Sequence, residues 1–348
     1  MAKSRRKKSG SKRKLWRIAG LVFLAIALFL AFKIFGPNTG AFTQGDYVYI
    51  RTGSTYDEVK TMLHAEGFVR DITSFDLLAR RAGYPDHVRA GKYHIRKGMS
   101  NFNMVRLLRS GKQTPVKLVI KKLRTRADFI KMVGSQLEAD PAVLEHIMTD
   151  SVFLAQYGLD SNTAMCAVMP DTYEFYWNTD AEKVFRKIAK KYVAFWNDNR
   201  KQKARHINLT PQEVITLASI VEEESNKNDE KPKIASVYLN RIRQGMRLQA
   251  DPTAKFAYGD FMLKRITSVQ TSFISPYNTY QVQGLPPGPI CTPSEKSIDA
   301  VLKGENTNYL YFCAREDFSG YHSFAATLKE HNENAKRYHN ALNARGIK

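Results

Sequence analysis

A basic head followed by an uncharged apolar run constrains this chain more than any other feature. Residues 1–17 contain nine Lys or Arg and no acidic residue, and the fifteen residues from Ile18 to Phe32 carry no charge. The basic residues that flank the run can place their charged ends at the membrane surface, which extends the usable helix towards the ~20 residues that a span needs. We therefore expect a single membrane-spanning helix at 15–35, preceded by a cytoplasmic basic tail at 1–14.

The positive charges also set the expected orientation. No Lys or Arg occurs from Gly36 to Ile50, directly after the apolar run. Because positive charges stay on the cytoplasmic side, we expect the N-terminus inside the cell (inner) membrane and the rest of the chain in the extracytoplasmic, periplasmic space. A cleaved signal peptide is the alternative, but no small-x-small cleavage pattern closes the run.

The net charge of +21 suggests nucleic acid as a partner, but the distribution of the charge argues against it. Removing the nine positive charges of residues 1–17 from that total leaves +12, spread over the remaining chain. A diffuse excess of this kind suits a polyanionic cell wall or anionic lipid equally well. With most of the chain expected outside the cytoplasm, we predict no nucleic acid partner and a substrate from the cell envelope.

Cysteine and histidine show no pattern typical of a cofactor site. Cys166, Cys291 and Cys313 have neither CxxC nor metal-ligand spacing, so each is interpreted as a small buried hydrophobic residue. The histidines form no pair at ligand spacing, and His322 and His331 are expected to be structural. We therefore predict no metal and no other cofactor.

A repeated pattern at residues 47–115 follows a Gly, Thr and Asn-rich linker at 36–46. A short alternating strand precedes a helix capped by Ser54 or Thr55, and the same order returns forty-five residues later. Ser74 is expected to cap a further helix between the two copies. The order strand, helix, helix, strand, helix predicts a small α+β domain. Its topology resembles that of LysM-like domains, which are associated with N-acetylated glycans.

The stretch from Thr210 to Ser225 predicts a helix with one buried face. Thr210, followed by Pro211 and Glu213, is a strong helix-start signal. Apolar residues then recur at helical spacing and form a single stripe; they are Val214, Leu217, Ala218, Ile220 and Val221.

Three consecutive glutamates end this helix and face different directions, because successive helical residues are rotated by about 100°. Glu224 continues the apolar stripe, Glu223 lies at its edge and Glu222 lies on its flank. Burial favours the neutral form of a carboxyl group, which can donate a proton. Glu224 is therefore the candidate general acid, and a merely acidic, solvated last turn is the alternative.

Polar segments beyond the glutamates are expected to bind a ligand. Residues 247–253 are interpreted as a polar turn, and residues 275–280 and 284–290 as rigid loops rich in Pro, Gly, amides and phenols. A sugar chain would suit them, since it needs amide and hydroxyl partners together with aromatic faces. The aromatic segment at 169–177 is interpreted either as an exposed stacking surface or as part of a core.

Several motifs in a fixed order resemble the endolytic murein transglycosylase family, also called YceG-like. In chain order they are PDTYEF (170–175), LASIVEEES (217–225), RLQADPT (247–253), SPYNTY (275–280), GLPPGPI (284–290), YLYF (309–312) with HSF (322–324), and EHN (330–332). The resemblance covers roughly residues 47–340 and implies a larger α+β catalytic domain at 116–348. The sequence departs from the family's pattern at Met165-Cys166-Ala167, where a Glu-Gly-aromatic run is usual.

The resemblance implies a membrane-bound enzyme that cuts nascent peptidoglycan strands internally, between N-acetylmuramic acid and N-acetylglucosamine, and leaves a 1,6-anhydro end. The family's catalytic glutamate is the second of a Glu-x-Glu pair, which here is Glu224. Our candidates for orienting the glycan are Glu222, Gln249, Asp251, Tyr277, Asn278 and Thr279. Expected partners are the glycan strands themselves, the membrane through the N-terminal helix, and peptidoglycan synthases.

Two other classes of function remain open at this point. The first is a non-catalytic scaffold that binds the wall through the same groove. The second is a true hydrolase in which a second carboxylate, with Asp251 as the candidate, activates water.

Overall fold

Helices dominate the chain, and short two-stranded sheets accompany them. The computed structural model describes residues 9–42, 45–263 and 265–346. The chain divides into two units: the first runs to Val116 and includes Phe175–Asn178, and the second comprises Lys117–Glu174 and the chain from Thr179 onward. Helices and strands occur in both, in agreement with the mixed helix and sheet class expected.

The N-terminal helix α1 extends from Ser9 to Phe35, so it begins inside the predicted basic tail. Its stretch Arg13–Phe35 is long and apolar enough to cross a membrane, and none of the most apolar part is buried. Residues 1–8 of the tail lie outside the described residues. The predicted linker after α1 is docked on the first unit, where Asn38 Nδ2 donates to Asn101 Oδ1 at 2.6 Å and Thr39 Oγ1 accepts from the Gly98 N–H at 2.8 Å.

The first unit has the predicted order of elements. They are β1 (Tyr47–Ile50), α2 (Tyr56–Ala65), α3 (Ile72–Arg81), β2 (Gly91–His94) and α4 (Asn101–Ser110), with a short 3-10 turn at Pro85–His87. Strands β1 and β2 pair antiparallel, with Tyr47 opposite His94. The predicted cap of α3 is wrong: Asp71 caps this helix, and the Ser74 N–H donates to Asp71 Oδ1 at 3.2 Å.

The second unit carries the remaining elements. They are β3 (Val116–Ile120), α5 (Arg126–Gln136), α6 (Pro141–Ile147), α7 (Ser151–Ala155), β4 (Asp171–Phe175), α8 (Ala181–Phe195), α9 (Asp198–His206), α10 (Pro211–Glu224), α11 (Lys231–Arg243), α12 (Asp251–Tyr258), α13 (Ser268–Thr271), α14 (Glu295–Lys303), β5 (Tyr311–Ala314), β6 (His322–Ala325) and α15 (Leu328–Ala344). Strand β3 neighbours β4, and β5 pairs antiparallel with β6.

The segment around β4, for which the sequence left two interpretations open, contributes to both the core and the surface: Tyr173 and Phe175 are about 95% buried, whereas Tyr176 is 55% exposed. Asp180 caps α8, since its side chain accepts from the Lys183 N–H at 2.8 Å. The expected polar turn at 247–253 ends in a helix, because Asp251 starts α12.

Helix α10 forms as its sequence predicts. Thr210 accepts from the Glu213 N–H while the Glu213 carboxylate accepts from the Thr210 N–H, which satisfies two backbone donors that a helix start leaves unpaired. Every residue from Val214 to Val221 is buried, in contact with α11 and α14 among others. Burial of a Leu or Ile side chain stabilises a fold by roughly 1.5–3 kcal/mol, so α10 is held firmly and its last turn has a fixed position.

Candidate active site

A cavity of about 450 Å³ lies at the C-terminal end of α10. Its walls come from α10, α11, the start of α12, β5, β6 and α15. The polar side chains that line it include Glu224, Arg241, Gln249, Asp251, His322 and His331. The cavity therefore gathers residues that lie more than one hundred positions apart in sequence.

Glu224 has the environment of a proton donor. Its Oε1 accepts a hydrogen bond from the Tyr238 hydroxyl at 2.5 Å. The pKa of Glu224 is raised to about 7, mainly by burial; the hydrogen bond from Tyr238 and the charge of Arg241 lower it, and the carboxylates of Asp251 and Glu223 raise it. The side chain keeps intermediate exposure because it borders the cavity while protein surrounds it elsewhere. A substantial fraction of Glu224 is thus protonated near neutral pH, as a general acid requires.

Glu222 points away from Glu224, and one of its carboxylate oxygens is bound by several side chains of the protein. Its Oε2 contacts Lys231 Nζ at 3.0 Å and accepts from Ser294 Oγ at 2.7 Å and from Ser297 Oγ. Burial alone would raise its pKa, but these hydrogen bonds and the Lys231 charge together lower it. Glu222 therefore joins α10, α11 and α14, and it is not among the described residues that line the cavity.

Glu223 forms a third environment. Its two oxygens contact Lys122 Nζ at 2.7 Å and an Arg124 guanidinium nitrogen at 3.1 Å. Burial opposes ionisation, but these two cations outweigh it and lower the pKa of Glu223. Of the three adjacent glutamates, Glu224 therefore has a raised pKa, whereas Glu222 and Glu223 are ion-paired carboxylates with lowered pKa values.

Tyr238 and Arg241 complete the surroundings of Glu224, and the sequence reasoning did not assign them to a site. They stand three residues apart on one face of α11. The buried Arg241 guanidinium donates to the carbonyls of Leu310 and Leu248, both at 2.7 Å. A phenol and a guanidinium at this spacing, on a helix whose other buried positions include Ile234, Ala235, Val237 and Leu239, are the signal that could have identified them.

The loop before α12 holds Gln249 in an uncommon backbone conformation, with φ of +48°. The Gln249 N–H donates to the Thr279 carbonyl at 3.1 Å, and the next N–H, of Ala250, donates to Thr279 Oγ1 at 3.0 Å. Asp251 follows, and its Oδ1 accepts from the Tyr280 hydroxyl at 2.5 Å. These contacts place the exposed side chains of Gln249 and Asp251 at the cavity.

The side chains of Asn278 and Thr279 do not reach the cavity surface, since both residues are 0% exposed. Asn278 Nδ2 donates to the carbonyls of Phe273, Gln270 and Thr271, and Thr279 serves the Gln249 loop, so both side chains satisfy backbone groups of the fold. Tyr277 packs its ring on Phe256 with centroids 5.0 Å apart and is not among the described residues that line the cavity. The SPYNTY motif thus contributes Tyr280 to the cavity rather than the three residues expected.

His322 and His331 both line the cavity, although the sequence indicated structural roles. His322 Nδ1 lies 2.9 Å from Glu230 Oε2, and His331 stacks on Tyr311 with ring centroids 5.3 Å apart. Burial and the charge of Arg241 lower the pKa of His331. Cys313 also borders the cavity, whereas Cys166 and Cys291 are buried as expected.

A second, wider cavity of about 760 Å³ lies in the first unit. Four cations line it, namely Arg96, Lys97, Arg106 and Lys112, and its described lining includes no carboxyl group. Size therefore does not identify the reactive site here, because this groove has no group suited to donate a proton at neutral pH. Within the described residues, no cluster of three His, Cys, Asp or Glu side chains could hold a metal ion.

An α+β unit with a carboxyl group of raised pKa in a cavity has the arrangement of an acid–base enzyme. A model of the YceG-like family matches residues 48–337 of the chain. Because this match covers most of the sequence, the protein belongs to the YceG-like family.

Individual relatives agree with that assignment. The chain is 26% identical over 312 residues to the endolytic murein transglycosylase of Bacillus subtilis strain 168, covering 85% of each. It is 28% identical over 329 residues to the Streptococcus pneumoniae R6 protein of the same name, covering 84% of this chain and only 58% of that one. A crystal structure described as a yceG-like protein from Listeria monocytogenes is 28% identical, with a TM-score of 0.55, covering 82% of this chain and 97% of that one.

Proposed function

We propose that this protein is a membrane-anchored endolytic lytic transglycosylase, which cleaves the bond between N-acetylmuramic acid and N-acetylglucosamine in nascent peptidoglycan and leaves 1,6-anhydro ends. The observation that carries the proposal is Glu224, whose carboxyl group faces a cavity with a pKa raised by burial to about 7. The names of the Bacillus and Streptococcus relatives supply the substrate class.

In the proposed reaction Glu224 supplies a proton to the leaving glycosidic oxygen. The N-acetyl group of the muramic acid stabilises the positive charge that develops at C1, and the C6 hydroxyl closes on C1. The resulting Glu224 carboxylate can accept the proton that the C6 hydroxyl loses. Tyr238 fixes the carboxyl group through its 2.5 Å hydrogen bond, so the proton points into the cavity from a single direction.

Gln249 and Asp251 are the residues that we propose to contact the glycan, because their side chains are exposed at the cavity. Thr279 acts on the glycan only by holding this loop, and Tyr277 supports α12 through Phe256. Asn278 instead holds the segment 270–273. For Glu222 we propose a structural role in place of the polar contact expected from sequence, since Lys231, Ser294 and Ser297 occupy its carboxylate.

Helix α1 supports the proposed anchor, and its basic flank supports a cytoplasmic N-terminus. Protease digestion of intact spheroplasts tests this topology: we expect loss of the part after α1, and full protection would contradict it.

We further propose that the first unit is a LysM-like module that binds the wall and that peptidoglycan synthases are partners. Sedimentation of the protein with purified peptidoglycan tests the wall-binding role, and weakened binding on reversal of the Arg106 and Lys112 charges is the expected result.

A true hydrolase is the second candidate, because a second carboxylate, Asp251, shares the cavity with Glu224. Mass spectrometry of peptidoglycan digested by the purified protein distinguishes the transglycosylase, the hydrolase and the non-catalytic scaffold. Anhydro ends are the expected product. Reducing ends would identify a hydrolase, and strands of unchanged length would identify a non-catalytic scaffold.

A further inference from the structure

Glu230 and His322 form a carboxylate–imidazole pair beside the proposed acid, although they lie 92 residues apart in the chain. The Glu230 side chain is 4% exposed and His322 15%. Glu230 Oε2 lies 2.9 Å from His322 Nδ1 and accepts from Ser225 Oγ at 3.2 Å, and Oε1 accepts from the His322 N–H at 2.6 Å. Burying a carboxylate is costly unless donors compensate for the lost water, and here three donors from Ser225 and His322 do so.

The pair fixes which nitrogen of His322 is available. An ionised carboxylate only accepts hydrogen bonds, so the Nδ1 next to Glu230 carries the proton. In the neutral ring Nε2 then holds a free electron pair, on the side of the ring away from Glu230. Because the ring lines the cavity while Glu230 does not, Nε2 is the nitrogen that a ligand in the cavity can reach.

Two contacts relate this pair to Glu224. Ser225, the next residue after Glu224, hydrogen-bonds Glu230. The ring of Phe312 lies edge-to-face with both His322 and Tyr238, at centroid distances of 5.2 and 5.8 Å. The imidazole and the tyrosine that binds Glu224 thus contact one aromatic ring, and His322 and Glu224 line the same cavity.

We propose that His322 is a second catalytic group, which accepts the proton of the C6 hydroxyl, and that Glu230 is the residue that positions it. The inference rests on the function proposed above and divides its two proton transfers between two residues. The C1–O4 bond breaks and O4 takes the proton of Glu224, while O6 bonds to C1 and passes its proton to His322 Nε2. Return of that proton from His322 to the Glu224 carboxylate restores both groups, so no further reactant is needed.

Full-length protein acting on uncrosslinked glycan strands tests the proposal. His322→Asn keeps a donor towards Glu230 but removes Nε2, and we expect kcat to fall about 100-fold or more with little change in KM, as for loss of a general base. Glu230→Gln offers an amide N–H to Nδ1 and so favours the tautomer with Nε2 protonated; we expect a kcat loss of similar order. The matched controls His339→Asn and Asp229→Asn change exposed residues and should leave kcat unaltered.

Chemical rescue distinguishes catalysis from a structural role. Added imidazole should restore part of the rate of His322→Ala while leaving the wild type and Glu224→Gln unaffected. Wild-type protein that releases anhydro ends, together with a His322→Asn variant that is equally fast, would overturn this inference alone. Wild-type protein that releases no anhydro ends would overturn the proposed function and this inference with it.

Discussion

The two sides of the last turn of α10 hold identical side chains in opposite states. On the cavity side, Glu224 has one hydrogen bond from Tyr238 and a pKa raised to about 7. On the other side, Glu222 and Glu223 contact lysine, arginine or serine groups, and their pKa values are lowered. All three lose solvent on burial, so burial alone does not decide the state of a carboxyl group. The number of cations and donors within reach decides it.

Within one helical turn, Glu224 on the cavity side carries the proposed chemistry, whereas Glu222 and Glu223 on the other side stabilise the fold. The ion-paired side fixes α10 to α11, α14 and the segment after β3, which places the last turn. The cavity side leaves one carboxyl group without a cation in direct contact among the described residues. A matched set of Glu→Gln changes can therefore test the two roles at three neighbouring positions.

The largest expected effect is on turnover by Glu224→Gln. Glutamine keeps the size of the side chain but has no acidic proton, so kcat on glycan strands should fall by about 10³-fold or more. Release of anhydro ends measured by mass spectrometry provides the rate. Glu222→Gln is the matched control and should keep the wild-type kcat at temperatures where it is folded. Equal losses in both variants would contradict the division between the two sides.

Glu222→Gln should instead show the largest loss of stability. Lys231 is only 4% exposed, and removal of its partner leaves a buried positive charge unpaired. We expect the free energy of unfolding to fall by about 3 kcal/mol in denaturant titrations near neutral pH. Because the pKa of Glu222 is lowered in the fold, its stabilisation is lost as the pH falls through that pKa, so the two proteins should converge in acid. The exposed neighbour Glu295→Gln is the control, with a change near zero.

Glu224→Gln should change stability in the reverse direction. The folded pKa of about 7 exceeds the ~4.3 of an unfolded glutamate, so the folded state holds this proton more tightly. That stabilisation is complete below about pH 4 and is lost as the pH rises through 7. Glutamine has no proton to lose, and the free energy of unfolding of the variant should exceed that of the wild type by about 3–4 kcal/mol at pH 8 but not at pH 4. A difference that does not depend on pH would contradict the raised pKa.

The smallest effect belongs to Glu223→Gln. Its partners Lys122 and Arg124 are both more than one-third exposed and can recover water, so a loss of about 1 kcal/mol is expected by thermal unfolding. The Glu223 charge also raises the pKa of Glu224. Its removal should therefore shift the fall of activity at high pH to a slightly lower pH, and a shift in the other direction would refute the coupling.

Local sequence signals predicted the helix that carries these glutamates. The Thr210–Glu213 capping box and the stripe from Val214 to Val221 depend only on neighbours a few residues away. The same helical rotation singled out Glu224 as the residue that continues the buried face. Short-range geometry was sufficient because the whole turn is helical and its direction follows from the residues before it.

The surroundings of Glu224 could not be predicted in the same way, because they come from distant segments. Only the packing of α11 on α10 turns the Tyr238 hydroxyl towards Glu224, and no neighbour of Tyr238 in the sequence signals this contact. Asn278 and Thr279 look like ligand-binding residues by type, yet their polar groups serve the backbone of their own loop and of the loop before α12. The contact of Glu230 with His322 spans 92 residues and has no local signature.

The three thiols differ in access, and this difference gives the protein a native reporter group. Cys166 and Cys291 are buried, whereas Cys313 is half-buried at the edge of the cavity. Burial also raises the pKa of the Cys313 thiol, so its alkylation by a maleimide should be slow near neutral pH and faster under mildly alkaline conditions. Occupancy of the cavity can then be followed in the unaltered sequence, as the rate at which a single cysteine is labelled with and without glycan.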